Sequence, residues 1–413
     1  MTMNYENFSE ILARERLPAA IVDLDAFDRN LVKVREIAAG IDPSKKIRIA
    51  TKSVRVPALI ARALKAGPPF SGLMTYSAGE TAWLASALEA EGGGEGGACA
   101  CDFLLAYPTV QPSDLQALRE AHERGARVRM VVDSPAHIRA VAAAMKGAAR
   151  PFPVVLEIDG SLRFLSGKVH LGVRRSPIRS VEALMQVVNE LGRHSELRFG
   201  GLMLYEAQVA GLTDRNPFKP LLNPIAHFVR VLSVKRVAKL RKAVSEACAR
   251  RGLALDVFNG GGTGSLRTTA REPWVSEVSV GSGLFSPHLF DYYSDIRFEP
   301  ACFFALQAVR SSDPGLITCL GGGYIASGEP GWDRVPRPWL PAGSKLVGTE
   351  ACGEVQTPLR LADGQTVIPG EPVIFRHAKA GELMERFNEA LLVSGGKIVG
   401  REKTYRGMGF SFF

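Results

Sequence analysis

The chain has 413 residues, of which 46% are apolar and 23% are charged. At about 100–200 residues per domain this length predicts two or three domains, and the ordinary composition argues against a disordered, fibrous or membrane protein. Lys and Arg exceed Asp and Glu by 51 − 42 = 9, but the basic residues are scattered rather than interleaved with aromatics in a stripe, which argues against nucleic acid binding.

Residues 1–18 mix charged and apolar side chains at helical spacing and lack the basic-then-apolar pattern of a signal peptide. No apolar run approaches the roughly 18 residues of a spanning helix, so a cytoplasmic location away from membranes is expected. The 6 cysteines lack paired C-x-x-C spacing, which predicts neither a zinc site nor a disulfide framework.

Apolar runs bounded by turn residues then recur along the chain, with helical patterns between them. The runs predict eight strands, at Ile47–Lys52, Gly72–Tyr76, Phe103–Ala106, Val128–Val132, Val154–Asp159, Gly201–Tyr205, Leu255–Asn259 and Val275–Val280. Helical spacing of three and four residues appears at Pro57–Ala66, Gly79–Ala90, Ser113–Arg124 and Val181–Arg193. This alternation predicts an α/β fold, a (β/α)8 TIM barrel, with a doubly wound open sheet as the alternative.

The sequence pattern changes after about residue 290, where short runs of alternating apolar and polar residues lie between clusters of Gly and Pro. Phe303–Val309, Lys345–Val347 and Val373–Phe375 are predicted strands of a mostly β domain, and Gly321–Pro341 is predicted to be a long ordered loop. The predicted domains are therefore a barrel of residues 20–290 and a second domain of residues 1–19 with 291–413. The low-complexity segment Glu91–Gly97 predicts a flexible loop.

Lys52 stands at the carboxyl end of the first predicted strand. That end of a barrel carries the active site, and a partly desolvated lysine there can act as an amine nucleophile that forms a Schiff base. The alternative is a lysine that extends from the strand end into solvent.

Two glycine-rich turns follow the seventh and eighth predicted strands. They comprise Gly260, Gly261, Gly262, Thr263 and Gly264 after the seventh strand, and Gly281, Ser282 and Gly283 after the eighth. Barrels often bind phosphate with these two loops, because glycine lets backbone N–H groups approach an anion and the hydroxyls add donors. Taken alone, each motif also fits a simple tight turn. Together with Lys52 they predict a cofactor that carries a phosphate.

These residues resemble a known family. The resemblance lies in Pro18-Ala19-Ala20-Ile21-Val22-Asp23-Leu24-Asp25, in Ala50-Thr51-Lys52-Ser53, in both glycine turns, and in Gly353-Glu354-Val355-Gln356-Thr357-Pro358 with the His377 region. The chain is similar to pyridoxal-phosphate enzymes of the alanine racemase fold, in the D-threonine aldolase and D-serine dehydratase branch, over nearly its whole length. The resemblance implies pyridoxal 5'-phosphate on Lys52, held by the glycine turns. It also implies a homodimer and a strand Ala19–Asp23 that joins the β domain.

The resemblance implies further site residues. Tyr205 matches a tyrosine near the cofactor, although a buried tyrosine is also an ordinary core residue. His170 stands where the family has an arginine beside the cofactor ring, and a histidine can still donate a hydrogen bond there.

The branch carries a metal motif of His, one residue, then Asp or Cys, whereas this chain has His377-Ala378-Lys379. A lysine cation has only donors and is not a ligand. Glu354 and Glu382 are substitutes for the missing ligand. The other hypothesis is that Lys379 replaces the metal and polarises the substrate hydroxyl, while His377 is either a lone ligand or a core histidine.

The aldolases of this branch use a histidine base shortly after the tyrosine, and this chain has none there. Glu206, Gln208, His288 and His377 are the candidates for that base. The residues themselves favour neither an aldolase nor a dehydratase. The overall resemblance implies a lyase that acts on small β-hydroxy-α-amino acids of D configuration or with an α substituent, by retro-aldol cleavage. The alternatives are a dehydratase that releases ammonia, an amino-acid racemase, and a protein that carries the cofactor without turnover.

Overall fold

A computed structural model of the chain describes residues 3–91, 101–165 and 168–412, with the side chains of 89–91 left aside. Its strands are β1 Ala19–Asp23, β2 Lys46–Ala50, β3 Phe70–Thr75, β4 Asp102–Leu105, β5 Arg127–Val132, β6 Phe152–Glu157, β7 Leu162–Phe164, β8 Val169–Leu171, β9 Leu197–Leu204, β10 Val257–Gly260, β11 Glu277–Val280, β12 Cys302–Asp313, β13 Leu316–Leu320, β14 Arg337–Leu340, β15 Lys345–Leu346, β16 Gln356–Arg360, β17 Pro372–Arg376, β18 Glu389–Ser394 and β19 Lys397–Lys403.

The helices alternate with the strands up to β11. They are α1 Tyr5–Leu12, α2 Leu24–Ile41, α3 Pro57–Lys65, α4 Ala78–Glu91, α5 Pro112–Glu123, α6 Pro135–Ala144, α7 Val181–Leu191, α8 Ala207–Ala210, α9 Asn223–Arg250, α10 Leu266–Thr269 and α11 Ser282–Phe285. Within the described residues, no helix is both long enough and apolar enough to cross a membrane.

Eight parallel strands close into a barrel in the order β2, β3, β4, β5, β6, β9, β10, β11, with β11 paired back to β2. The eight predicted barrel strands are confirmed, and closure excludes the open-sheet alternative. Apolar side chains from neighbouring strands fill the interior, among them Leu104, Val131, Val155 and Met203. The barrel is therefore a packed core whose carboxyl-terminal mouth is the place for a site.

A polar layer crosses the inside of the barrel below that mouth. The Arg48 guanidinium, which is buried, makes ion pairs of 2.7 Å with Glu277 and 3.0 Å with Asp102. Asn259 donates to Glu277 over 2.8 Å. These charges are satisfied by one another, which is what burial of ionic groups requires.

The remaining chain forms a mostly β second layer centred on β12, which pairs with β1, β13 and β17. Strand β1 also pairs in parallel with β18, so Ala19–Asp23 lies in this sheet, as the family resemblance implies. The predicted boundary between residues 19 and 20 falls inside β1, and the domain limits stay a prediction. Strands also form where the sequence predicts them near residues 303, 345 and 373.

Two predicted loops need separate comment. Residues 321–341 are largely irregular, but their last part forms β14, which pairs with β17. The predicted flexible loop Glu91–Gly97 falls almost entirely outside the described residues.

Candidate active site

A cavity of about 520 Å³ opens at the carboxyl ends of the barrel strands. Its wall is built by residues that follow β2, β4, β9, β10 and β11 and by the loop after β17. The polar side chains on this wall are Lys52, Ser53, Arg55, Tyr76, Tyr107, Arg175, Tyr205, Thr213, Asn259, Thr263, Ser279, Ser282, Tyr293, Ser327, Asp333, Arg334, Lys379 and Glu382.

Lys52 lies in a single 3-10 turn, Thr51–Ser53, that continues directly from β2. Its Nζ donates a hydrogen bond of 2.8 Å to the Tyr107 hydroxyl and lies 5.5 Å from the centre of that ring. Burial alone would raise the pKa of Tyr107, but the positive charges of Lys52 and Arg175 outweigh it and lower that pKa. The lysine amine thus faces the cavity beside a phenol that gives up its proton more readily than usual.

Arg175 lies between two aromatic rings of the cavity wall. Its guanidinium is 5.7 Å from the Tyr107 ring centre and 5.5 Å from that of Tyr205, as in cation–π contacts. Burial raises the pKa of Tyr205 to about 12, so its hydroxyl keeps its proton at neutral pH. The three side chains lie together on the cavity wall, and we call the place of Arg175 between the two tyrosines the arginine slot.

The two glycine turns meet through Thr263. Its Oγ1 accepts a hydrogen bond of 3.1 Å from the Gly283 N–H. A Cβ at Gly281 would come within 2.7 Å of the Ala50 carbonyl oxygen, and one at Gly262 within 3.3 Å of the Tyr205 ring. Glycine is therefore required for the close approach of these turns to the walls of the cavity.

Five of the eight residues in the two predicted turns line the cavity: Gly261, Gly262, Thr263, Gly281 and Ser282. Gly260, Gly264 and Gly283 instead pack behind it. A Cβ on Gly264 would meet the Ala210 carbonyl at 2.5 Å, and one on Gly283 would meet Thr263 Cγ2 at 2.7 Å. The missing side chains of Gly264 and Gly283 allow the two turns to pack against neighbouring residues. The sequence instead predicts direct contact with a cofactor.

Glu206 is a buried anchor of the first glycine turn. Its carboxylate forms an ion pair with Arg241, accepts hydrogen bonds of 3.1 Å from Gly261 N–H and 2.6 Å from Ser265 Oγ, and also accepts from Thr269 Oγ1. Burial would raise the pKa of Glu206, but these partners, Arg241 foremost, lower it. The carboxylate does not line the cavity and its lone pairs are engaged, so its position does not fit the predicted base.

Two further candidates for the base also lie away from the cavity. The Gln208 amide donates to the Gly160 carbonyl over 2.6 Å. Burial lowers the pKa of His288 to about 3, and its Nε2 lies 2.9 Å from the Val335 carbonyl oxygen. Both side chains are used within the protein, and none of the described residues that line the cavity is a histidine.

His170 differs from its predicted position. It lies in the small hairpin of β7 and β8, where Arg163 donates to its Nδ1 over 3.2 Å and its Nε2 lies 3.1 Å from the Val173 carbonyl oxygen. The chain reaches the cavity five residues later, with Arg175. Arg175 therefore occupies the place beside Tyr107 and Tyr205. The resemblance expects an arginine at position 170, but here the arginine beside the tyrosines comes from position 175, after the hairpin.

The predicted metal position also has a different structure. His377 is buried against Phe285, does not line the cavity, and has no hydrogen-bond partner for either ring nitrogen among the described residues. Burial, together with the charge of Arg376, lowers the pKa of His377 to about 3. Glu354 does not line the cavity either.

Lys379 and Glu382 do line the cavity, where they form an ion pair of 3.2 Å with each other. Within the described ranges, no three His, Cys, Asp or Glu side chains are grouped so as to hold a metal ion. One neutral imidazole and an ammonium do not make a divalent metal site, because such sites use several anionic or neutral donors. The residues present do not fit the metal that the resemblance implies.

This barrel has a lysine at the end of its first strand and glycine turns after its last two strands. These features are typical of barrel proteins that hold a phosphate-bearing group at the mouth of the barrel. The family model described as alanine racemase, N-terminal domain, matches residues 22–286. The chain belongs to this family.

Comparisons with individual proteins agree with this family. The chain is 25% identical over 335 residues to a D-threonine aldolase of Arthrobacter sp., which covers 78% of this chain and 77% of that protein. The structure of a D-threonine aldolase from Filomicrobium marinum superposes with a TM-score of 0.79 at 21% identity, covering 97% of both chains. A D-threo-3-hydroxyaspartate dehydratase from Delftia sp. HT23 superposes with a TM-score of 0.71 at 19% identity, covering 95% of this chain and 98% of that one.

The family implies pyridoxal 5'-phosphate, and the residues of the cavity fit that group. The glycine turns bring backbone and the Thr263 and Ser282 hydroxyls to the cavity, and hydroxyl donors suit a phosphate. Lys52 faces the same cavity with its amine, and the Arg175 and Tyr205 side chains line the space between. Tyr107 and Arg175 are two of the cavity residues that the sequence analysis missed. Tyr107 could have been found, because it directly follows a barrel strand.

Proposed function

We propose that this protein is a pyridoxal-phosphate-dependent lyase that cleaves β-hydroxy-α-amino acids of D configuration into an amino acid and an aldehyde. The observation that carries the proposal is the position of Lys52, at the end of the first barrel strand and in one cavity with both glycine turns. The aldolase relatives, by their names, support this reaction and this configuration.

Lys52 would hold the cofactor covalently through its amine, and the turns of Gly261–Thr263 and Gly281–Ser282 would hold the phosphate. When bound, pyridoxal phosphate supplies an electron sink for the bond that breaks at Cα. In the cleavage, the β-hydroxyl would pass its proton to the Lys52–Tyr107 pair, the Cα–Cβ bond would break, and the Cβ–O bond would become the carbonyl of the aldehyde. The same pair would return a proton to Cα, which gives the amino acid product.

The chain's own side chains would orient the substrate and handle its protons. Tyr107 is within hydrogen-bond distance of the Lys52 amine, so a proton can pass between these two groups. Arg175, held between two rings, presents a fixed cation to the ring of the cofactor or to a substrate carboxylate. Tyr205 remains protonated and therefore acts as a hydrogen-bond donor.

The test is the visible absorbance of the protein mixed with pyridoxal phosphate, together with release of acetaldehyde and glycine from D-threonine. We expect wild-type protein to show the band of a covalently bound cofactor and to release acetaldehyde. Lys52→Ala should lose both. The matched control is Lys46→Ala, an exposed lysine at the opposite end of the same strand, which should keep both. An unchanged band in Lys52→Ala would refute the assignment.

A dehydratase is the second candidate, supported by the likeness of the fold to the Delftia enzyme. In that reaction Lys52 would take the proton from Cα and the hydroxyl would leave, which gives a keto acid and ammonia after hydrolysis. An assay of aldehyde and of keto acid from D-threonine and D-threo-3-hydroxyaspartate separates the two reactions. Inversion without cleavage would indicate a racemase, and no turnover with a stable band would indicate a cofactor carrier.

A further inference from the structure

A cluster of three side chains occupies the wall of the cavity that comes from the second layer. Lys379 Nζ donates to Ser327 Oγ over 2.8 Å and lies 3.2 Å from Glu382 Oε1. Ser327 Oγ donates in turn to Glu382 Oε1, and the Ser327 N–H donates to Oε2 over 2.8 Å. All three residues line the cavity that contains Lys52. The cluster is a closed set of hydrogen bonds that fixes the lysine head group.

The backbone of this cluster is fixed against the barrel lysine. Gly381, at φ +83°, packs so closely on the chain that a Cβ there would overlap the Lys52 carbonyl oxygen. Ala378 and Ala380, on either side of Lys379, are buried. Upstream, Arg376 forms an ion pair of 2.6 Å with Asp291. The distance between the backbones of Lys379 and Lys52 is thus set by packing rather than by a flexible loop.

The chemistry of the cluster favours a neutral oxygen ligand. An ammonium has three N–H donors, and the contacts to Ser327 and Glu382 use two of them. The Lys379 side chain lines the cavity and remains 44% exposed. Because Glu382 balances its charge, the pair attracts a carboxylate weakly, whereas a hydroxyl or ether oxygen can accept the third N–H. Arg334, which forms none of the described ion pairs, suits a carboxylate better.

We propose that the Lys379 ammonium donates a hydrogen bond to the β-oxygen of the bound substrate, at the position where the family resemblance implies a metal ligand. This inference rests on the proposed function. Lys379 keeps its proton throughout. It stabilises the negative charge that gathers on the oxygen while the hydroxyl proton leaves and the Cα–Cβ bond breaks. Ser327 and Glu382 are positioning residues that hold the ammonium.

The test measures binding of a ligand that has the oxygen but is not cleaved. O-methyl-D-threonine can accept a hydrogen bond at its β-oxygen but lacks the hydroxyl proton that must leave. Its carbon isostere has CH₂ in place of the oxygen. Dissociation constants of both are measured with the holoenzyme from the change in the visible spectrum. We expect Lys379→Met to weaken binding of the ether about 10- to 100-fold, as for loss of a charged hydrogen bond. Binding of the isostere should change by less than about twofold.

Two controls accompany this measurement. Lys397→Met changes an exposed lysine on β19 that does not line the cavity, and should alter neither constant. Glu382→Gln should weaken ether binding less than Lys379→Met does, because the ammonium remains but loses its partner. Thermal unfolding of each variant shows whether the fold is retained.

Metal analysis gives an independent readout. We expect protein purified without added ions to contain far less than one metal ion per chain, and chelation to leave the ether preference unchanged. The inference is overturned by one tightly bound metal whose removal abolishes that preference, or by equal effects of Lys379→Met on both ligands. If wild-type protein prefers the ether through Lys379 but releases no acetaldehyde from D-threonine, the proposed reaction is wrong and the oxygen contact stands.

Discussion

Glu157 ends strand β6 with a buried carboxyl group near Arg175 and Tyr107. Burial raises the pKa of Glu157 to about 7, and the nearby charges of Asp133 and Asp159 add to this, whereas Arg175 opposes it. A carboxyl whose pKa is higher in the folded than in the unfolded state stabilises the fold below its ordinary pKa near 4.5. That stability is lost as the pH rises through about 7.

We therefore expect Glu157→Gln to reduce the loss of stability between about pH 5 and about pH 8 by about 2 kcal/mol. Urea unfolding at both pH values measures it. Glu123→Gln, at an exposed carboxyl, is the control and should keep the wild-type pH dependence. An equal pH dependence in Glu157→Gln and wild type would show that the carboxyl is not the cause.

At the scale of single residues, the sequence predicts the location of a side chain when that location is set by the neighbouring residues in the chain. Lys52 follows an apolar strand, and glycine turns follow two others, so the barrel rule places them at one mouth. The position of Arg175 depends on the hairpin of β7 and β8, which moves His170 out of the arginine slot. The burial of His377 depends on Phe285, distant in sequence, and is therefore not readable from the motif.

At the scale of the elements, the first glycine turn depends on Glu206. This carboxylate connects the end of β9 to the turn after β10 and to α10 through Gly261, Ser265 and Thr269. We expect Glu206→Gln to weaken binding of pyridoxal phosphate about tenfold, because a charged acceptor of these bonds is lost. It should also destabilise the fold, by about 3 kcal/mol, since Arg241 loses a buried partner. Cofactor titration and urea unfolding measure the two effects.

Glu272→Gln is the matched control for this prediction. Glu272 pairs with the same Arg241 over 2.6 Å but makes none of the described contacts with the glycine turn. It should lower stability while leaving cofactor affinity unchanged. If Glu206 were instead the catalytic base, Glu206→Gln would abolish turnover with cofactor affinity intact, and that result would contradict the anchoring role.

The sequence predicts the strands and helices better than it predicts the contacts between them. Strands β2 to β6 and β9 to β11 are largely buried and rich in apolar residues, because their side chains are covered by helices on one side and by the barrel interior on the other. Strand β12 of the second sheet pairs with β1, β13 and β17. The pairings with β1 and β17 join residues that are distant in sequence, so no local sequence pattern predicts them. The same holds for the ion pairs across the barrel interior.

At the scale of the whole molecule, the two layers meet where the cavity lies. Arg55, next to the lysine turn, forms an ion pair of 2.7 Å with Glu385 from the second layer. The Tyr405 hydroxyl donates to Glu80 of α4 over 2.8 Å. The barrel thus supplies Lys52 and the glycine turns, while the second layer supplies Lys379. Neither layer alone contains the site.

Near this junction, the start of α9 and the turn before it expose apolar side chains. Leu221, Ile225 and Phe228 are 88%, 60% and 66% exposed, and the last two lie one helical turn apart. Lys219, just before this turn, forms an ion pair of 3.0 Å with Glu329, which is two residues after the cavity residue Ser327. Exposed apolar patches of this kind mark interaction surfaces. We expect a second copy of the chain to cover this face, which would place the partner beside the cavity mouth.

Phe228→Glu tests this homodimer. A buried charge opposes association, so the variant should shift the mass from dimer to monomer and should lose activity on dilution at higher protein concentrations than wild type does. Sedimentation velocity over a range of concentrations measures the masses. Lys239→Glu, a charge change at an exposed position farther along the same helix, should leave the dimer intact. A wild-type protein that sediments as a monomer at all concentrations would contradict the dimer. An unchanged dimer in Phe228→Glu would place the interface elsewhere. Burial of an unpaired carboxylate at the centre of an apolar interface raises the free energy of the dimer and would therefore weaken it.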